Sequence, residues 1–176
     1  MLLRLFSLLL FFVLSWQTSV FHIFEGNAWG QNRFPKPTGL VNDFADVIPI
    51  SYKKRITGIS RQMMEDIDTP LVVVTMPDIA GADYNQYAVD LYNTWGIGEA
   101  GVNKGVLFFV TIKERKIRIV TGLGTEKVLT DEICEEILKR DMMWHLKMNH
   151  FGEAFLRGAI AVDQEIRRNQ ANDLRE

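Results

Sequence analysis

A single cysteine, Cys134, stands in the 176 residues, so no disulfide can form within the chain and the fold must hold by packing alone. Histidine is nearly as scarce. His22 lies near the start, and the separation of His145 from His150 does not put two imidazoles on one helical face for zinc. No sign of charge dominates either: 20 Lys and Arg against 22 Asp and Glu leave a net charge of -2. The basic runs Lys53-Lys54-Arg55 and Lys113 to Arg118 are short and interrupted, and read as solvated helix and hairpin surface. A nucleic-acid partner would need clustered cations on one face, so none is expected.

Familiar catalytic signatures are missing as well. Gly122-Leu123-Gly124 lacks the third glycine of a dinucleotide fingerprint, Gly98 to Lys104 is not a Walker loop, and no Gly-x-Ser-x-Gly elbow occurs. A nucleotide cofactor, zinc chemistry and serine-hydrolase chemistry are therefore not expected. Cys134 has no neighbouring histidine to activate it and reads as a structural or semi-exposed thiol.

Beyond the N-terminus there is no long hydrophobic run. At the N-terminus, Arg4 precedes Leu5 to Leu14, an apolar stretch broken only by Ser7 and followed by Ser15, Gln17, Thr18 and Ser19. About ten residues of helix reach about 15 Å, half of a hydrocarbon core of about 30 Å. Residues 1–30 thus read as an export signal, cut before Gln31 or between Ala28 and Trp29. The alternative is a retained membrane anchor, because Val20 to Phe24 is apolar again and residues 2–24 are just long enough to cross. Both readings place the domain outside the cytoplasm, in a periplasm, a lumen or the extracellular space.

What remains has 47% hydrophobic and 24% charged residues over the whole chain, which suits one self-sufficient globular core. Residues 31–38, with Pro35 and Pro37, read as an extended linker leading into Leu40 to Asp43, and 39–169 as the domain. Ser51 is the expected N-cap of a helix with Ile56, Ile59, Met63 and Ile67 on one face, stopped by Pro70. Leu71 to Met76 is a continuous apolar run, as expected of a strand covered on both faces. Asp83 is the expected cap of a helix whose Tyr84, Tyr87, Ala88, Leu91, Tyr92 and Trp95 form a packing face ended by Gly96. Gly105 to Thr111 and Lys116 to Thr121 read as a hairpin, its second arm an edge. Thr130 caps a helix with Ile133, Ile137 and Leu138 inward, and a last helix carries Phe151, Phe155, Ala159, Val162 and Ile166. After Arg168 the pattern turns polar, and 170–176 reads as a flexible tail. The sum is a three-layer α/β/α sandwich with a mixed central sheet of about four strands.

Glycines and polar residues concentrate between residues 95 and 131: Trp95-Gly96-Ile97-Gly98, Asn103-Lys104-Gly105, Gly122-Leu123-Gly124-Thr125-Glu126 and Asp131. Such loops at strand ends are where α/β proteins build sites. Asp43, Asp46, Asp78, Asp83, Glu126 and Asp131 all fall at or near element ends. Converging carboxylates repel unless a cation sits among them, and hard oxygen ligands suit Ca²⁺ or Mg²⁺. Each also has a local structural use: Asp131 at a helix N-terminus, Asp83 as an N-cap, Asp43 in an Asx turn.

Five pieces in order are similar to the TPM domain family over residues 35–168. They are Pro37-Thr38-Gly39-Leu40-Val41-Asn42-Asp43-Phe44-Ala45; Tyr87-Ala88 and Leu91 into Trp95-Gly96-Ile97-Gly98; Asn103-Lys104-Gly105-Val106-Leu107; Gly122-Leu123-Gly124-Thr125-Glu126; and Leu129-Thr130-Asp131. Thr125 stands where the family usually has Leu, and Met143-Trp144-His145-Leu146 replaces an expected Pro-x-Phe. The resemblance implies an exported or lumenal, often membrane-associated α/β/α domain, with Asp43, Asn103, Glu126 and Asp131 as the polar, cation-binding site. It gives no such support to Asp46 or Asp78. Family roles range from photosystem repair and receptor-accessory functions to acid phosphatase activity. Two functions follow as expectations. One is an accessory module, monomeric, binding Ca²⁺ (or Mg²⁺) and supporting a membrane protein complex. The other is a metal-assisted phosphatase, in which Lys104 and Lys127 hold the phosphate.

Overall fold

The computed structural model describes residues 34–98, 103–173 and 175; the expected leader, residues 1–30, lies outside them. The chain divides into units Met1–Pro35 and Lys36–Glu176, and the regular structure described belongs to the second. Strands β1 (Val41–Asp43), β2 (Leu71–Met76), β3 (Val106–Thr111) and β4 (Lys116–Thr121) make one sheet in that order. The first three are parallel and β4 is antiparallel to β3. Helix α1 (Ile50–Ile67) joins β1 to β2, and α2 (Tyr84–Thr94) joins β2 to β3. After β4 come α3 (Asp131–Ile137), a π-helical segment (Leu138–Met142), α4 (Met143–Lys147) and α5 (Phe151–Asp173). The three-layer mixed sandwich read from the sequence is what the chain forms.

Strand alternation sorts the side chains into two layers. Val73, Phe108, Val110 and Ile119 enter the main core with Ile56 and Met63 of α1 and Phe155, Ala159 and Val162 of α5. Phe109 faces the other way and stacks on Tyr84 and Tyr87 of α2, at 5.7 and 5.4 Å between ring centroids. The aromatic face of α2 is packing, as its spacing predicts. Helices α1 and α2 thus lie on opposite faces of the sheet, although β1, β2 and β3 are parallel and neighbours in chain order. Two crossovers of the same hand, both stepping the same way, would put both helices on one face. One of these two connections is therefore left-handed, an arrangement rare in parallel βαβ units.

Local details depart from the sequence reading in several places. Pro49, not Ser51, occupies the N-cap of α1; it makes no side-chain cap, and its carbonyl accepts from the N–H groups of Tyr52 and Lys53. Ser51 already lies inside the helix, because proline's fixed φ suits the chain entry here. The lead-in Leu40 to Asp43 supplies an extra strand, β1, paired with Val73 to Thr75. The π-helical segment is invisible to a 3.6-residue pattern. It shifts the face of the following turn, leaving Trp144 and Met148 exposed while Leu146 packs on the core. The final helix runs on to Asp173, past the point where the apolar pattern ends. Asp83 and Thr130 cap α2 and α3 as predicted, accepting from the N–H groups of Gln86 and Ile133. Among the described residues no helix is long and apolar enough to cross a membrane.

Candidate functional site

Register separates the predicted site residues into two groups at opposite ends of the sheet. Asp43 pairs with Thr75, and Thr75 with Val110, near the C-terminal ends of the parallel strands. Gly122 follows Thr121, which pairs with Val106, and Gly122 N–H bonds the Gly105 carbonyl at the other end. From the level of Val110 to that of Gly105 is about 16 Å along the strands at roughly 3.3 Å per residue, before any sideways step between strands. Asp43 cannot reach an ion held by Asn103 and the loop after Gly122. The expected four-residue site is not brought together; Asn103 and the Glu126 loop are.

The Asp43 end is a saturated clamp. Its Oδ1 accepts from the Val47 N–H at 3.1 Å and the Thr75 hydroxyl at 2.5 Å. Its Oδ2 accepts from the Ile48 N–H at 2.9 Å and pairs with Lys53 Nζ at 2.8 Å. Only 2% of the side chain is exposed. Burial pushes the carboxyl upward, but the bonds from Lys53, Thr75, Ile48 and Val47 together outweigh it and hold Asp43 below its ordinary value. In open α/β sheets ligands enter where successive loops turn to opposite faces. Here that crevice lies between the ends of β1 and β2, and the Asp43 network fills it. Asn42 is equally structural: buried, it accepts from the N–H and hydroxyl of Thr38 and donates to the Gly39 carbonyl.

At the opposite end two loops lock together through glycine. Gly98, with φ of 79°, lies so close to Gly105 that a Cβ on it would sit 2.1 Å from the Gly105 nitrogen. A Cβ on Gly122 would fall 2.0 Å from the Asn103 carbonyl oxygen and 2.4 Å from the Tyr92 hydroxyl. Asn103 is the keystone: its φ is 53°, its carbonyl accepts from the Gly124 N–H, and its Oδ1 accepts from Tyr92 at 3.1 Å. From Gly122 the chain folds into tight turns, with Thr125 and Glu126 donating back to the Gly122 carbonyl. Those turns present Leu123, 72% exposed, with Glu126 and Lys127 also on the surface. Glu126 and Asp131 are both exposed, and neither carboxylate has a hydrogen bond or ion pair among the described residues. Thr125 is buried, and its hydroxyl has no hydrogen-bond partner among the described residues.

The other acidic candidates have local duties. Asp46 is exposed 3.8 Å from Lys53, Asp78 accepts from the Ala80 N–H, and Asp83 caps α2. Among the described residues no three of His, Cys, Asp and Glu are placed to share a metal ion. Cys134 is buried, and burial together with the charge of Asp131 pushes its thiol up to about 12, which disfavours the thiolate. Sequence reasoning missed Lys53, Thr75 and Tyr92. Thr75 carried a signal, since a hydroxyl inside a buried apolar strand needs a partner. Lys53 and Tyr92 carried none.

The TPM domain family profile matches residues 41–165. No curated protein matches. Among solved structures, the N-terminal domain of a protein from P. gingivalis is 27% identical, with a TM-score of 0.69 over 75% of this chain and 84% of that one. The BA42 protein of the psychrophilic bacterium Bizionia argentinensis is 15% identical, with a TM-score of 0.61 over 69% and 82% of the two chains. The N-terminal domain of cg2496 from Corynebacterium glutamicum is 16% identical, with a TM-score of 0.58 over 74% and 82%. The last two establish likeness of fold alone.

Proposed function

The chain belongs to the TPM domain family, and on that premise we propose that it is an exported binding module that holds a divalent cation, Ca²⁺ before Mg²⁺, on its glycine-braced loops. In that role it supports the assembly or maintenance of membrane proteins. One observation carries the reading: among the described residues the exposed carboxylates of Glu126 and Asp131 have no partner, while the buried carboxylate of Asp43 is wholly committed to four donors. A residue saturated in this way is a brace. The carboxylate oxygens fit the ion's chemistry, and Asn103 Oδ1, which accepts a hydrogen bond from Tyr92, adds a hard oxygen on the neighbouring loop. One carboxylate in an irregular loop and one on the first turn of α3 suit a weak site, on the order of 10⁻⁴ to 10⁻³ M as in extracellular modules, and favour Ca²⁺, which tolerates irregular coordination.

Calorimetric titration of the protein with Ca²⁺ and Mg²⁺, beside a phosphomonoester assay, tests this. Ca²⁺ binding in wild type, lost in Glu126→Gln and in Asp131→Asn with no turnover anywhere, is the expected result. Turnover in wild type that both substitutions abolish would instead make the protein a metal-assisted phosphatase.

A further inference from the structure

We propose that the groove between the β3–β4 turn and α4 binds a single-chain anionic amphiphile, an alkyl chain ending in a carboxylate or comparable anion. The cavity measures about 460 Å³, within the span usual for small-molecule sites. One wall is Val110 and Ile117 of the strands with Ile112 of their turn, and the helix wall is Met143, Leu146 and Phe151. Ile112, Ile117, Leu146 and Phe151 are only partly buried although each packs on the main core, so the groove is an opening into apolar packing. No acidic residue lines it. Two lining cations, Arg115 and Lys147, are exposed and form no ion pair among the described residues. Lys116 also borders the groove, but its ammonium lies over the Tyr84 ring, 5.3 Å from the centroid, on the other face of the sheet.

Arg115 adds a second observation. It occupies the hairpin turn with φ of 52°, a left-handed conformation that favours glycine. That turn, closed by the Arg115 N–H on the Ile112 carbonyl, sets the arginine on the lining of the apolar opening. The charge complementarity selects an anion, and the walls select its tail. Asn149 is the one neutral polar side chain at the rim besides Thr111, whose strand position directs it towards the α2 face with Phe109. A peptide laid in the groove would leave most of its amides without partners, whereas an alkyl chain has none to satisfy. The head of the amphiphile meets Arg115 and Lys147 at the mouth.

The test is a titration of the full chain with dodecanoate below its micellar concentration, beside dodecanol and butyrate, and beside the Arg115→Glu, Lys147→Glu double variant. Both positions are exposed, so the variant is expected to fold. Saturable one-to-one binding of dodecanoate, with affinity at least roughly tenfold lower for dodecanol and for the double variant, is the expected result, since hydrogen bonds to charged groups are of that strength. Butyrate is expected not to saturate. Absence of saturable dodecanoate binding overturns the proposal, as does equal affinity in the double variant. Binding confined to phosphatidylglycerol vesicles, with none to monomeric dodecanoate, overturns it too and would make this face a membrane-docking surface.

Discussion

Two opposed forces meet at Asp43. Burial favours the neutral acid, while Lys53, Thr75 and the N–H groups of Ile48 and Val47 favour the carboxylate, and the second group prevails. A carboxyl held below its unfolded value contributes stability that is complete above the unfolded pKa and is lost as pH falls through the native one. Asp43→Asn should therefore cost about 3 kcal/mol near neutrality, because an amide NH₂ turned towards N–H donors leaves them unsatisfied and leaves Lys53 only the exposed Asp46, 3.8 Å away. Urea unfolding of both proteins across pH should show that gap constant above about pH 5 and closing below it. A gap that persists unchanged into strong acid would mean the Asp43 charge does not matter. Thr125 poses a smaller case: its buried hydroxyl lacks a partner among the described residues, so Thr125→Val should be neutral or stabilising by up to about 1 kcal/mol, read from the unfolding midpoint.

At the scale of elements, the loop after β4 depends on how closely it approaches its neighbour. With no room beside Gly122 for a methyl group, Gly122→Ala must push the loop away from Asn103 and Tyr92, costing about 1–3 kcal/mol or more. Denaturant unfolding checks the loss, and weaker Ca²⁺ binding should accompany it, because the loop that carries Glu126 is the part displaced. Strands and long helices were legible because periodic burial marks them: Leu71 to Met76 reads as covered on both faces, and Tyr84 to Trp95 as a packing stripe. The cap of α1 and the π-helical segment were not. The first rests on the carbonyl of Pro49 rather than on a side chain, and the second changes the repeat on which the pattern depends.

The whole molecule explains why the site was harder to read than the fold. Motif spacing brings Asn103 and Gly122 to Glu126 together, since both flank the same strand pair at the same end. It cannot show that Asp43 lies at the opposite end of the sheet, because that follows from strand order and register, which only the assembled sheet displays. The two ends then divide the labour: a closed polar clamp at the crevice where the crossovers part, and an open loop rim braced by glycine. The most direct test of this division is a Ca²⁺ titration followed by backbone amide NMR shifts. Saturable changes confined to residues around Asn103, Glu126 and Asp131, with the amides of Val47 and Ile48 unmoved, are the expected result. Changes centred on Asp43 and its donors, or none in either region, would contradict it.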